Sequence, residues 1–124
     1  MIAAEYRFHG HGSLNYLFRN GTTARNGRVL VRVVPNKRRE TSRVAVIVGK
    51  KVAKSAVVRN RIRRRVFEVV RTNWASILPQ MDFAVTILSA DIAVLPFPEV
   101  EKAVLGALRR AGVYKTETKS AIVE

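Results

Sequence analysis

The sequence predicts a single-domain α+β fold, with helices packed on a β-sheet. Three observations carry that expectation. The chain has 124 residues, 48% of them hydrophobic, which is enough for one buried core without disulfide or metal staples. Three short runs rich in β-branched residues read as strands: RVLVRVV (28–34), RVAVIVG (43–49) and DFAVTIL (82–88). Between the second and third lies a long stretch, Lys50 to Arg71, whose apolar residues recur at helical spacing.

Taken in order, residues 1–12 end in HGHG, and the two glycines favour an extended arm. Ser13 is a candidate N-cap. Leu14, Leu17 and Phe18 follow at i, i+3 and i+4, and Gly21 is a candidate C-cap, so a helix is expected over about 13–20. Tyr16 and Phe18 read first as core aromatics. The competing reading puts one of them in a groove, stacked on a base.

In the first strand Val29, Val31 and Val33 alternate with Arg28, Leu30 and Arg32, giving one apolar and one partly basic face. Pro35-Asn36 turns the chain, and Lys37, Arg38 and Arg39 sit in that turn. The second strand is uniformly small and apolar, which predicts a central strand buried on both faces. The first two strands are expected to pair as a hairpin across the long turn 35–41. An extra short strand is expected in the N-terminal arm or around Thr23–Ala24.

Ser55 is a candidate N-cap for a long helix over about 56–77, closed by Pro79 and about 33 Å long. At ~100° per residue, Val58, Ile62, Val66, Val69 and Ile77 share one side. Asn60, Arg61, Arg64, Arg65 and Arg71 fall opposite, with Arg59 and Arg63 at the boundary. Trp74 reads as a packing residue. The final helix is expected over about 98–111, with Val100, Val104, Leu105 and Leu108 inward, Glu99 and Glu101 near its start and Gly112 ending it. The ordered core is expected over about 5–112 of one domain, 1–124, with 113–124 a frayed tail.

The charge needs an explanation outside the fold. Twenty-three bases against nine acids give +14, and such an excess repels itself in a compact chain. It is also unevenly placed. Residues 1–49 hold nine bases and two acids, and residues 50–71 hold nine bases and one acid, Glu68. Residues 72–124 hold five bases and six acids, so they are net negative. A defined cationic face for a polyanion, above all RNA, accounts for this better than a solvated surface helix. Membrane binding is disfavoured, because the apolar side of the helix is needed for the core. A major-groove DNA helix is disfavoured too, since five arginines in residues 59–65 leave little for base discrimination.

No set of activated groups suggests a protein active site. There is no cysteine, His9 and His11 lie in the arm, and the acids show no paired spacing beyond Glu99 and Glu101. No phosphate-binding glycine motif occurs. No metal site is expected within the chain. The absence of cysteine fits a reducing, cytoplasmic setting, and the N-terminus lacks the apolar core of a signal peptide.

Lys50-Lys51, Ala56-Val57, Arg59-Asn60-Arg61, Arg63-Arg64, Glu68 and Arg71 together resemble the Arg-Asn-Arg signature of the bacterial ribonuclease P protein subunit. Arg7, Leu14, Phe18 and Gly21 upstream, and Asp82 with its strand downstream, are similar to the same family, so the likeness spans about 5–112. The resemblance implies a four-stranded mixed sheet in an α/β sandwich, order α-β-β-β-α-β-α, with an unusual left-handed βαβ crossover. It implies a subunit that binds a catalytic RNA and the 5′ leader of precursor tRNA, while the RNA performs the endonucleolytic cleavage with Mg²⁺. No protein partner is implied. Lys50, Lys51, Lys54, Arg59, Asn60, Arg61, Arg63, Arg64 and Arg71 are then expected to meet the catalytic RNA, and Phe18, Arg32 and Tyr16 to line the leader cleft. Arg32 stands where the family often has an aromatic. The alternative expectation is a ribosomal or RNA-chaperone protein of similar fold.

Overall fold

The computed structural model describes residues 11–115. The arm before residue 11, including Arg7 and His9, and the tail after residue 115 lie outside the described residues. The elements run α1 (His11–Asn20), β1 (Thr22–Asn26), β2 (Val29–Pro35), β3 (Arg43–Val48), α2 (Ala56–Thr72), β4 (Met81–Ile87) and α3 (Phe97–Arg110). Two 3-10 turns, Trp74–Ser76 and Ala90–Ala93, flank β4. The extra strand expected near Thr23–Ala24 is β1.

The sheet order is β1-β2-β4-β3. β1, β2 and β4 are mutually antiparallel along that order, whereas β3 runs parallel to β4. This corrects the expected hairpin. β2 and β3 are not paired, because β4 inserts between them and bonds to both. It also corrects the placing of β3, which is an edge strand. β4 takes the central position, with Phe83, Ala84 and Val85 fully buried. β3 is apolar for a different reason. Val44 and Val48 join the main core, while Ala45 and Ile47 pack on a small cluster on the opposite face.

Register divides the side chains cleanly. Val29, Val31 and Val33 of β2 lie level with Ile87, Val85 and Phe83 of β4, and Phe83 with Val44 of β3. That face is covered by Ile62, Val66, Val69 and Val70 of α2 and by Val100, Val104 and Leu108 of α3, all fully buried. Fully burying a side chain of this size contributes about 1.5–3 kcal/mol, so this layer is the main source of stability. Among the described residues the other face is held by α1, through Leu17 against Val34 and Ala84.

α1 begins at His11, earlier than expected, so Ser13 lies inside the helix and is not its cap. Gly21 follows α1 because there is no room for a side chain. A Cβ there would lie 2.6 Å from the Leu17 carbonyl oxygen and 3.1 Å from that of Val33. α2 starts where expected, with the Val58 N–H donating to Ser55 Oγ at 3.3 Å. It stops five residues early, before Asn73, whose N–H and side-chain amide both donate to the Val69 carbonyl. Its 17 residues span about 25 Å at ~1.5 Å per residue. Ile77 therefore leaves the helix and pairs instead with Tyr114. Trp74 packs as expected, its ring stacked 6.4 Å from Phe83. Gly112 ends α3 with φ +79°, the left-handed geometry that favours glycine at a helix end. The chain stays ordered past residue 112: Val113 is buried and the Lys115 N–H donates to the Ser76 carbonyl at 2.7 Å.

Asp82, only 5% exposed, starts β4 and is fully engaged. Arg43 reaches it with Nε at 3.0 Å and Nη2 at 2.8 Å, and Asn36 donates to it at 2.9 Å. Removing one partner of a buried pair leaves the other charge uncompensated. Asp82→Ala is therefore expected to cost about 3 kcal/mol, read as a lower urea midpoint. An unchanged midpoint would show that the pair contributes nothing.

Candidate nucleic-acid interface

The cationic surface is built from the end of β3, the loop 49–55 and α2. The loop is compact, with the Val52 and Ala53 N–H groups both donating to the Gly49 carbonyl. Lys50, Lys51 and Lys54 are exposed on it. They lead into the N-terminus of α2, the positive end of its dipole, where no acid occupies the first turn. The loop and the helix start thus form one electropositive corner.

Along α2 the arginines divide by what they touch. Asn60, Arg61 and Arg64 are exposed; at ~100° per residue Asn60 and Arg64 lie about 160° from Ile62 and Arg61 about 100° from it. Arg63 is half-buried and donates to Asn60 Oδ1 at 2.8 Å, which orients the amide. Arg59 is half-buried too, and its Nη1 donates to the carbonyls of Ala53 and Lys54, both at 2.8 Å. It fastens the lysine loop to the helix while keeping its other guanidinium nitrogens near the surface. Arg71 is exposed but pairs with Glu68. That bond holds the Glu68 carboxyl below its ordinary range and raises Arg71, so this end of the helix offers less net positive charge.

Arg65 is the correction on this helix. It turns toward the 3-10 segment and donates to the carbonyls of Ile92 and Leu95. The buried arc of α2 is wider than expected: the 3-10 segment packs along the flank that carries Arg65, and Phe67, ~200° round from Arg65, is buried as well. Val57, 75% exposed, lies on the basic side. Its angle, ~140° from Ile62, keeps it off the core side.

The second surface is the open face of the sheet. Thr23, Arg25, Leu30, Arg32, Thr86 and Ile47 share it by register. Phe18 is 44% exposed, so it is not a core aromatic; Leu17 takes that role. The Arg32 guanidinium lies 5.0 Å from the Phe18 ring centroid, a cation–π distance. Arg32 Nε is buried and makes no hydrogen bond among the described residues. The structure thus brings Phe18 and Arg32 together at the rim of this face. Tyr16 does not join them. It stands two positions earlier, ~200° around the helix, and lines a recess on the other flank of α1.

Among the described residues no three His, Asp or Glu side chains converge as a metal site, and no helix is long and apolar enough to cross a membrane.

Residues 2–112 match the family model described as Ribonuclease P. The chain is 42% identical over 95 residues to the ribonuclease P protein component of Roseiflexus castenholzii, covering 77% of this chain and 76% of the relative. It is 31% identical over 115 residues to that of a Geobacillus species, covering 93% and 97%. Its fold is similar to the RNase P protein of Thermotoga maritima, with TM-score 0.76, 26% identity and coverage of 84% and 96%. It is also similar to that of Staphylococcus aureus, with TM-score 0.79, 23% identity and coverage of 89% and 98%.

The division of arginines is testable by salt dependence. Arg61→Ala with Arg64→Ala is expected to weaken binding of structured RNA and to flatten the log–log salt slope by about 1.4–1.8, with an unchanged urea midpoint. Arg65→Ala is expected to cost about 2 kcal/mol of stability and to leave the slope unchanged. The reverse pattern would show that Arg65 faces RNA and the other two do not.

Proposed function

The chain belongs to the ribonuclease P protein family, and on that premise we propose how its surfaces serve tRNA processing. It acts as the protein component of a ribonucleoprotein endoribonuclease that removes the 5′ leader of precursor tRNA. The electropositive corner and the exposed side of α2 bind the catalytic RNA. Lys50, Lys51 and Lys54 supply point charges, while Arg61 and Arg64 supply forked donors for phosphate. Asn60, oriented by Arg63, supplies both donor and acceptor. Arg59 keeps the lysine loop at the helix start, and Arg71 contributes less because Glu68 shares its charge.

The single observation that carries this reading is the separation on α2. One side is consumed by the sheet, and the other presents Asn60, Arg61 and Arg64 to solvent with no acid among them. The leader, a single strand with unstacked bases, suits the open face of the sheet. Phe18, 44% exposed, offers ring surface, and Arg32, lying over that ring, adds a positive charge, together a stacking platform for a base. The half-buried side chains around them exclude water from one side of a bound base.

Cleavage is assigned to the RNA subunit, and the Mg²⁺ implied by the family is assigned to that RNA. A cytoplasmic setting follows from the same assignment. The family match lends no support to a ribosomal or RNA-chaperone role.

Reconstitution tests the reading. The chain is expected to restore cleavage of precursor tRNA by a bacterial catalytic RNA at low Mg²⁺ and to cleave none alone. Failure to restore it, or strong cleavage by RNA-free protein, overturns the assignment. Within the reconstituted enzyme, Phe18→Ala is expected to weaken precursor tRNA by about tenfold, on the scale of one lost base stack, and to leave mature tRNA unchanged. Equal loss for both would make Phe18 structural.

A further inference from the structure

A recess of about 490 Å³ lies on the flank of α1 away from Phe18. Tyr16 forms one wall and Val34 part of the floor, with Lys37, Arg38, Arg43 and Asp82 around it. Register locates it. Pro35 lies level with Met81, and Arg43 with Asp82, so the recess sits where β3 and β4 begin. The lysine loop follows the opposite end of β3. The recess is therefore separate from the corner at Lys50 and from the Phe18–Arg32 pair.

Its chemistry is that of a built site. Asp82 would repel a polyanion, but its carboxylate already accepts from Arg43 through two nitrogens and from Asn36. The same Asn36 side chain accepts from the Arg38 N–H at 3.2 Å, and the Asn36 N–H donates to the Gln80 carbonyl at 2.7 Å. One asparagine thus clamps the turn that carries Lys37 and Arg38, both exposed. The ordering cost of that turn is met before any ligand arrives. Tyr16 is 58% exposed and presents an aromatic ring beside the two cations. The floor is charge-compensated, the rim is cationic and one wall is aromatic. The volume falls in the ~300–1,000 Å³ range of small-ligand sites.

We propose that this recess is a second single-stranded RNA subsite. It takes one nucleotide, with the base against Tyr16 and the phosphate on Lys37 and Arg38. The inference rests on the RNA-binding reading above but not on the roles given to Phe18 or α2. A base–aromatic stack and phosphate contacts are the usual pair of forces for single strands. The strand comes either from the part of the leader beyond Phe18 or from an unpaired segment of the catalytic RNA.

The test uses Lys37→Ala with Arg38→Ala, and Tyr16→Ala separately. All three side chains are exposed, so the fold is not at stake. Affinity is measured for the reconstituted enzyme with precursor tRNA carrying leaders of about 4 and about 12 nucleotides, both within the ~4–16 nucleotide range of small single-strand sites. It is also measured for the free protein with the catalytic RNA, and for the free protein with a uridine oligonucleotide. The expected result is about tenfold weaker oligonucleotide binding in both variants, with the salt slope of the double variant reduced by about 0.7, the value of one phosphate contact on a single strand. Loss confined to the long leader identifies the leader as the source. Loss confined to the catalytic RNA identifies that RNA. Oligonucleotide affinity equal to wild type in both variants overturns the proposal. Whether the unmodified chain restores cleavage is scored separately, so failure of the family reading is distinguishable from failure of the recess.

Discussion

The structure depends on one topological constraint, the parallel pairing of β3 with β4. Adjacent parallel strands cannot be joined by a tight turn and need a crossover. α2 is that crossover, so it must lie across the sheet with its apolar arc inward. Ile62, Val66, Val69 and Val70 are fully buried as a result. With that arc committed to the core, Asn60, Arg61 and Arg64 have only solvent or a partner to face. The cationic surface is thus a consequence of strand pairing as much as of composition.

The same constraint shapes the other side of the sheet. Both long helices lie on one face, and among the described residues α1 is the helix on the second. It is held there by the small cluster of Leu17, Val34 and Ala84. A single short helix cannot cover four strands, so grooves remain on both flanks. One flank carries Phe18 and Arg32. The other carries Tyr16 and the clamped turn of Lys37 and Arg38. The charges on the two flanks are handled differently. Arg32 is pressed against an aromatic ring, whereas Arg43 is spent on Asp82.

Several arginines that look alike in sequence do different work. Arg61 and Arg64 are exposed. Arg59 and Arg65 donate to backbone carbonyls of the loop 49–55 and of the 3-10 segment and the turn after it. Part of the +14 charge is therefore structural. That division explains how so basic a stretch folds as an ordered helix: some of its cations are satisfied internally, and the rest lie spread along one exposed side.

The amino-acid sequence by itself determined what depends on near neighbours. Period-two alternation in 28–34 located β2 and its inward valines, and Ser55 marked the start of α2 because an N-cap acts within one turn. Spacing of 3.6 likewise identified Val100, Val104, Leu105 and Leu108 in α3. The Arg-Asn-Arg stretch was legible as an exposed cationic surface because its charge exceeds what folding needs. Tertiary structure alone decided what depends on which elements meet. β3 and β4 share an apolar pattern, so only strand pairing could show that β4 is central and β3 an edge. Asn73 ended α2 through a local bond that competes with further helix, a contest that composition does not settle. Tyr16 and Phe18 differ by two positions, and what separates them is where α1 lands on the sheet. Long-range docking, through Leu17 and the Asp82 network, assigned one ring to each groove.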